Sequence, residues 1–437
     1  MSARPPADAE VLPVTWSRRL LTLLLAPVLL LGLPSPSPAE PHRAWTATWG
    51  TAPTGPGTPP VPAESFEDET LRQIVHTSVG GASVRVRLSN EFGTAPLVIG
   101  AARVARSTGG SGIAGDRRLT FGGRSSVRVP PGARRDSDPV ALPVEPGTDL
   151  AVSLYLPRPT RGETLHGSAF QRNYVVPRNA TRDPRLVDPR VLTSWFFLTG
   201  VSVTGPAGTI VAFGDSITDG AITTVDANHR WPDLLADRLR AEGIRSGVVN
   251  AGIGGNRLLH DGRTVPGEFE GIGPLFGPSA LARFDRDVLA RPGARYVVVL
   301  LGINDIGQPT SLAPPEEAVT VRELIAGYRR LIARAHAVGL VAVGATLTPF
   351  EGTTIAGYHS AENEAKRSAV NRWIRAGGEW DAVLDFDRAV RDPAHRVRML
   401  PAYDSGDHLH PNDAGMRAMA DAIPLRLFRG AGTLRAA

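Results

Sequence analysis

Cysteine is absent from all 437 residues, which excludes disulfides, thiolate metal sites and a thioether-linked lipid anchor. The fold must therefore be stable through its core alone. With 42% hydrophobic and 21% charged residues, the composition is that of an ordinary globular protein. Lysine is nearly absent as well: Lys366 is the only one, and the cationic charge comes from arginines scattered among acidic residues. No basic run is interleaved with aromatics, so the net charge of +5 reads as surface character and nucleic acid is excluded as a partner. Spanning a bilayer takes about 20 apolar residues, whereas Leu20 to Leu33 is a run of 14 interrupted by Pro27. It follows Arg18 and Arg19 and precedes "PSPSPAE", where Ser37 and Ala39 stand like the small residues of a cleavage site. Residues 1–39 thus read as a secretory signal peptide, and the mature chain is expected to be secreted, with no stable membrane anchor after cleavage. Its removal takes Arg4, Arg18 and Arg19 against Asp8 and Glu10, lowering the net charge by one to +4.

A chain of 437 residues exceeds what one hydrophobic core usually serves, so two folded units are expected. Residues 40–205 carry a period of two. "ASVRVRLSN" alternates Val84, Val86 and Leu88 with Arg85, Arg87 and Ser89, and "DLAVSLYLP" puts Leu150, Val152, Leu154 and Leu156 on one face. Turn signals such as "VPPGARRD" and "VEPGTD" separate these runs, which predicts an antiparallel β-sandwich. In residues 206–437 the texture changes. "TIVAF", "GVVN", "RYVVVLL", "LVAVGAT" and "AVLDF" are compact apolar runs that alternate with helical stretches such as "EEAVTVRELIAGYRRLIARAHAVG" and "AENEAKRSAVNRWIRAGG". That alternation predicts α/β architecture, a parallel sheet with helices on both faces and ligands bound beyond the carboxyl ends of the strands.

Residues able to do chemistry stand where that architecture puts ligands. Ser216 in "VAFGDSITDG" follows the first apolar run by two residues. A hydroxyl there suits a nucleophile at a helix start, and it equally suits a simple N-cap. The G-x-S-x-G elbow occurs nowhere in the chain. A serine nucleophile needs a base and a group to orient the base. "DSGDHLHPNDAG" offers Asp407 and His410, although His410 also reads as a loop residue before a helix. A metal reading of His408 and His410 lacks an H-E-x-x-H motif, a cysteine ligand or an acidic cluster, so no metal or cofactor is expected. Donors for an oxyanion are available from Gly255 in "VVNAGIGGNRLL" and Asn304 in "LLGINDIG", where turn geometry and capping are the plainer explanations. Each feature alone is ambiguous; their joint placement beyond successive strands is what points to a site.

"GDSITDG", "NAGIGGN", "GIND" and "DHLHP" together resemble, in order, the four sequence blocks of the SGNH hydrolases, the GDSL esterase/lipase family, over about residues 208–430. The resemblance implies a three-layer α/β/α domain and ester hydrolysis through an acyl-enzyme. Carried onto this chain, it makes Ser216 the nucleophile, His410 the base and Asp407 its orienter, with Ser216 N–H, Gly255 and Asn304 as oxyanion donors. Ile217 replaces the eponymous leucine of the first block and leaves the reactive groups untouched. "WTATWGTAP" and "QIVHTSVGGASVRVRLSNEFG" are similar to the β-domain of secreted bacterial two-domain members, some of which resemble esterases that deacylate plant polysaccharides.

The expected substrate is an ester, such as an acylated polysaccharide or a short-chain lipid. "HDGRTVPGEFEGIGPLFGPSALARF", a Gly/Pro-rich excursion with Phe269 and Phe276, stands as a wall for a short acyl group or as a passive loop. Tyr403 lines the site or packs beside it, and His76 is expected to pack or cap. Two alternatives stay open: acyl transfer to a sugar hydroxyl, and a non-catalytic carbohydrate-binding protein. The oligomeric state is not legible.

Overall fold

The computed structural model describes residues 44–205 and 207–429, which fall within one compact unit. Residues 1–39, which the sequence analysis reads as a signal peptide, lie outside the described residues.

In the β-rich half, two antiparallel sheets face each other. One has the order Trp45–Gly50, Leu198–Thr204, Gly81–Ser89, Val140–Val144, with Arg134–Asp136 also paired to Gly81–Ser89. The other runs Arg190–Leu192, Asn173–Pro177, Glu69–His76, Asp149–Leu156, Ala101–Ser107, Ile113–Arg118. Val84, Val86 and Leu88 from one sheet and Leu150, Val152, Leu154 and Leu156 from the other share one apolar cluster, as the alternation requires of two inner faces. The outer face at Asp149–Leu156 is covered too. Ala151 packs with Ile74, Tyr174 and Leu186, and Arg72 reaches through to donate to Ser153 Oγ at 3.0 Å and Ser111 O at 2.6 Å.

The second half is a five-stranded parallel sheet of β1 (Gly208–Gly214), β2 (Ser246–Gly252), β3 (Ala294–Leu300), β4 (Val341–Ala345) and β5 (Ala382–Leu384). Its order is β2-β1-β3-β4-β5. The five apolar runs of the sequence are these five strands. Helix α1 (Ser216–Asp219) follows β1, and α2 (Trp231–Ala241) crosses to β2. Helix α3 (Ile303–Gly307) follows β3; α4 (Val321–Ala337) and α5 (Ala361–Ala376) are the crossovers to β4 and β5; α6 (Asp413–Asp421) closes the domain. Helices α2 and α6 pack together on one face and α4 and α5 on the other, which gives the three layers. Helix α4 begins later than its hydrophobic pattern, because Thr320 and Glu323 form a reciprocal cap and Pro315–Glu317 is a separate 3-10 turn. Among the described residues no helix is long and apolar enough to cross a membrane.

The halves share a hydrogen-bonded seam. Arg291, 6% exposed, donates to Thr199 O at 2.7 Å, Thr51 O at 2.6 Å and Asp287 O at 3.0 Å. Ala47 N donates to Pro292 O, and Ser78 both donates to Val248 O and accepts from Val248 N. Replacing the guanidinium with an apolar chain takes one donor from each of three carbonyls, of which Thr199 O keeps the amide of Thr51 at 3.3 Å. We expect Arg291→Met to lower the unfolding free energy by about 3 kcal/mol, read by denaturant titration; a change below about 0.5 kcal/mol would place the strength of the seam elsewhere.

Candidate active site

The first crossover places Ser216 at the opening position of α1, one residue beyond the Asp215 cap, whose Oδ1 accepts from Ile217 N at 3.0 Å. Helix α1 lies directly on the end of β2. A Cβ on Gly252 would sit 2.3 Å from Asp219 N, so only glycine admits the helix there. Ser216 is buried to the edge of the surface, and its amide has no partner among the described residues, as the first residue of a helix should.

The loop before α6 brings Asp407 and His410 to this serine. His410 Nε2 lies 2.8 Å from Ser216 Oγ, and His410 Nδ1 lies 2.5 Å from Asp407 Oδ2. Asp407 Oδ1 accepts from the amides of Leu409 at 2.9 Å and His410 at 2.8 Å and from Ser405 Oγ at 2.9 Å. Burial pushes this carboxyl up, but the hydrogen bonds and charge of His410 together with the two amides hold it well below the usual carboxylate range. An ionised Asp407 keeps the proton on Nδ1, which leaves Nε2 free to accept from the serine hydroxyl. His408 faces a different carboxylate: in a left-handed conformation at φ 57°, its Nδ1 bonds Asp404 Oδ2 at 2.6 Å. Among the described residues no group of three or more His, Cys, Asp or Glu could hold a metal ion.

Beyond β2 and β3 lie the candidate oxyanion donors. Gly254 N is already engaged with Asp219 Oδ2 at 3.2 Å, whereas Gly255 N has no partner among the described residues. Gly255 has φ +72°, and a Cβ there would lie 2.2 Å from the Phe276 ring. Asn304, in the first turn of α3, donates through Nδ2 to Asn256 O at 3.0 Å. Its Oδ1 accepts from Gln308 Nε2 at 3.1 Å and Tyr358 Oη at 2.9 Å. These contacts fix the amide orientation and leave its second N–H available. All three strand ends meet where the sheet order reverses, the crevice in which parallel α/β sheets bind ligands.

Several supporting residues escaped the sequence reading. Gln308 also donates to Gly255 O at 2.7 Å, and its spacing of one helical turn from Asn304 was a usable signal. Tyr358 and Arg283 reach the site only through tertiary folding. Of the ambiguous residues, Tyr403 packs on the core beside α6, and His76 pairs with Asp149 at 2.7 Å at the end of its strand.

Asp215 carries an electrostatic cost. Burial raises its pKa to about 7, and its Oδ2 is buried without a partner. The folded state therefore holds the Asp215 proton more tightly than the unfolded chain does. Its contribution is favourable below about pH 4 and is lost as the pH rises toward 7. Asp215→Asn keeps the acceptor for Ile217 N. We expect this variant to gain thermal stability over the parent at pH 8 and little at pH 4; a Tm difference equal at both pH values would refute the assignment.

Residues 212–418 match the model of the GDSL-like lipase/acylhydrolase family. No curated protein matches the chain. Among solved structures, a carbohydrate acetylesterase family member from Sinorhizobium meliloti is 18% identical, with 51% of this chain and 99% of that one covered and a TM-score of 0.38. The inhibitor-bound aryl esterase of M. smegmatis is 16% identical, with 51% and 100% covered and a TM-score of 0.38.

Proposed function

Because residues 212–418 belong to the GDSL-like lipase/acylhydrolase family and make this chain a carboxylic ester hydrolase, we propose that it is a secreted serine esterase. On this reading it removes short acyl groups, from carbohydrate among other alcohols, through an acyl-enzyme on Ser216. The observation that carries the mechanism is the line of hydrogen bonds from Asp407 through His410 to Ser216, 2.5 and 2.8 Å long.

Ser216 Oγ attacks the ester carbonyl while His410 Nε2 takes its proton. The amides of Ser216 and Gly255 and the spare N–H of Asn304 receive the negative charge that develops on the carbonyl oxygen. Asp407 stabilises the imidazolium, which passes the proton to the departing alkoxide oxygen. Water then repeats the sequence on the acyl-enzyme and frees the acid.

The short acyl chain is supported by Phe276, whose ring lies against Gly255 and whose loop is pinned by Asn256 Nδ2 donating to Phe276 O at 2.7 Å and Pro278 O at 2.8 Å. A wall held this way leaves little length beside the oxyanion donors. The carbohydrate part rests on the likeness of the β-rich half to the β-domain of two-domain esterases. Secretion rests on the character of residues 1–39.

Ser216→Ala is expected to lower kcat for p-nitrophenyl acetate by several orders of magnitude, on the order of 10⁶-fold in the best-studied serine hydrolase; a folded variant that keeps its activity would overturn the assignment. Across a p-nitrophenyl series, acetyl and butyryl esters should be cleaved faster than decanoyl and longer ones, with acetate released from acetylated xylan as free acid. Faster cleavage of the long chains would remove the wall from the account.

A further inference from the structure

His166 belongs to the β-rich half, where Leu165–His166 pairs antiparallel with Trp195–Phe196, yet its ring is directed at α1. It is only 4% exposed. Its Nδ1 lies 3.0 Å from Ala52 O and its Nε2 2.9 Å from Asp219 Oδ1. A carbonyl can only accept, so Nδ1 carries a proton; Asp219 Oδ1 at Nε2 favours a second proton there and raises the basicity of the ring. The result is a buried imidazolium–carboxylate pair across the seam. The second oxygen of Asp219, Oδ2, accepts from Gly254 N at 3.2 Å, one residue before Gly255. Asp219 closes the short helix that Ser216 opens, and its own amide donates to Asp215 O at 2.9 Å.

Resting on the reading of Ser216 and Gly255 given above, we propose that His166 is a positioning residue for ester hydrolysis, which acts through Asp219 to hold the Gly254–Gly255 turn against α1. The β-rich half then supplies a working part of the site. Loss of the His166 side chain releases one oxygen of Asp219 and leaves its buried charge unbalanced. The carboxylate, no longer held from behind, loosens its grip on Gly254, and the neighbouring amide of Gly255 drifts from the oxyanion position. Burial opposes the charge on His166, but Asp219 outweighs it and keeps the imidazole more basic than usual. Of the other charged and titratable groups around it, the Arg230 cation works against the charge on His166 without overturning it. Arg230 lies over the Trp195 ring that His166 also packs against, and it is engaged with Asp233 at 3.0 Å and with Ala169 O. His76 lines the same small cavity and is held by Asp149.

The test compares the parent with H166F, D219N and the double variant on p-nitrophenyl acetate, with active sites counted by a fluorophosphonate that labels the serine. H166F keeps the ring volume beside Trp195 and removes both donors. Per labelled site, we expect kcat to fall roughly 10- to 100-fold in each single variant with KM within about twofold, as for residues that orient a reacting group from behind. The double variant should be no worse than the poorer single one, because both act through one link. An alkaline fall in kcat of the parent, where His166 loses its proton, should disappear in H166F. Activity per labelled site within twofold of the parent, or additive losses, would overturn the proposal. Should H166F not fold, ¹⁵N spectra of the parent decide: a His166 nitrogen without a proton at neutral pH overturns it, and two protonated nitrogens support it. Labelling of the S216A variant would instead condemn the nucleophile reading, so the two failures are told apart.

Discussion

A single buried guanidinium sets the geometry on which the candidate site depends. Arg283, fully buried, donates to Gly214 O at the end of β1 and to Ala251 O near the end of β2, both at 2.8 Å, and to Asn256 Oδ1 at 2.9 Å. Its plane lies 4.2 Å from the centre of the Phe213 ring, and Asp287 balances its charge at 3.1 Å. Burial lowers its pKa to about 10, so it stays charged at neutral pH. Carbonyls at the carboxyl ends of parallel strands lose their sheet partners where the chain turns away, and a fork of fixed donors satisfies several at once. Asn256, oriented by this arginine, in turn receives Asn304 and pins the Phe276 loop. The serine turn, the glycine turn and the amide on α3 are thereby referred to one rigid centre.

The seam between the halves follows the same chemistry. Arg291 serves carbonyls at Thr51 and Thr199, Arg87 donates to Ala290 O at 3.0 Å, and Arg286 donates to Pro53 O at 3.1 Å. Without cysteine to cross-link them, the two halves are joined by arginines that meet backbone oxygens and by strand Trp45–Gly50 lying alongside β2. The abundance of arginine, which looked in the sequence like surface character, is partly structural: Arg72, Arg257, Arg283 and Arg291 are all buried. A lysine presents a single point of charge and could not serve three carbonyls in a plane.

Local pattern and short motifs were readable because they depend on neighbours in the chain. Period two marked the strands of both antiparallel sheets, and the five apolar runs marked the parallel strands in order. The residues that surround Ser216 were placed by the order of four motifs beyond those runs. The carbonyl-binding arginines, Tyr358 and His166 left no such trace. Each acts across a separation that no periodicity encodes, such as the 53 positions from His166 to Asp219. The left-handed turn at His408 is a further case: two histidines two apart on an extended segment would share a face, but φ of 57° at His408 sends them to different carboxylates.

The first strand of the β-rich half, Trp45–Gly50, pairs with its last, Leu198–Thr204, so that Thr46 stands opposite Val203. The chain therefore enters and leaves this half side by side. A segment with adjoining ends can be gained, lost or exchanged as one piece in a lineage without re-routing the sheet that follows. Such an exchange would be judged first at the seam, where an incoming module must bring carbonyls for Arg291 and a donor for Asp219.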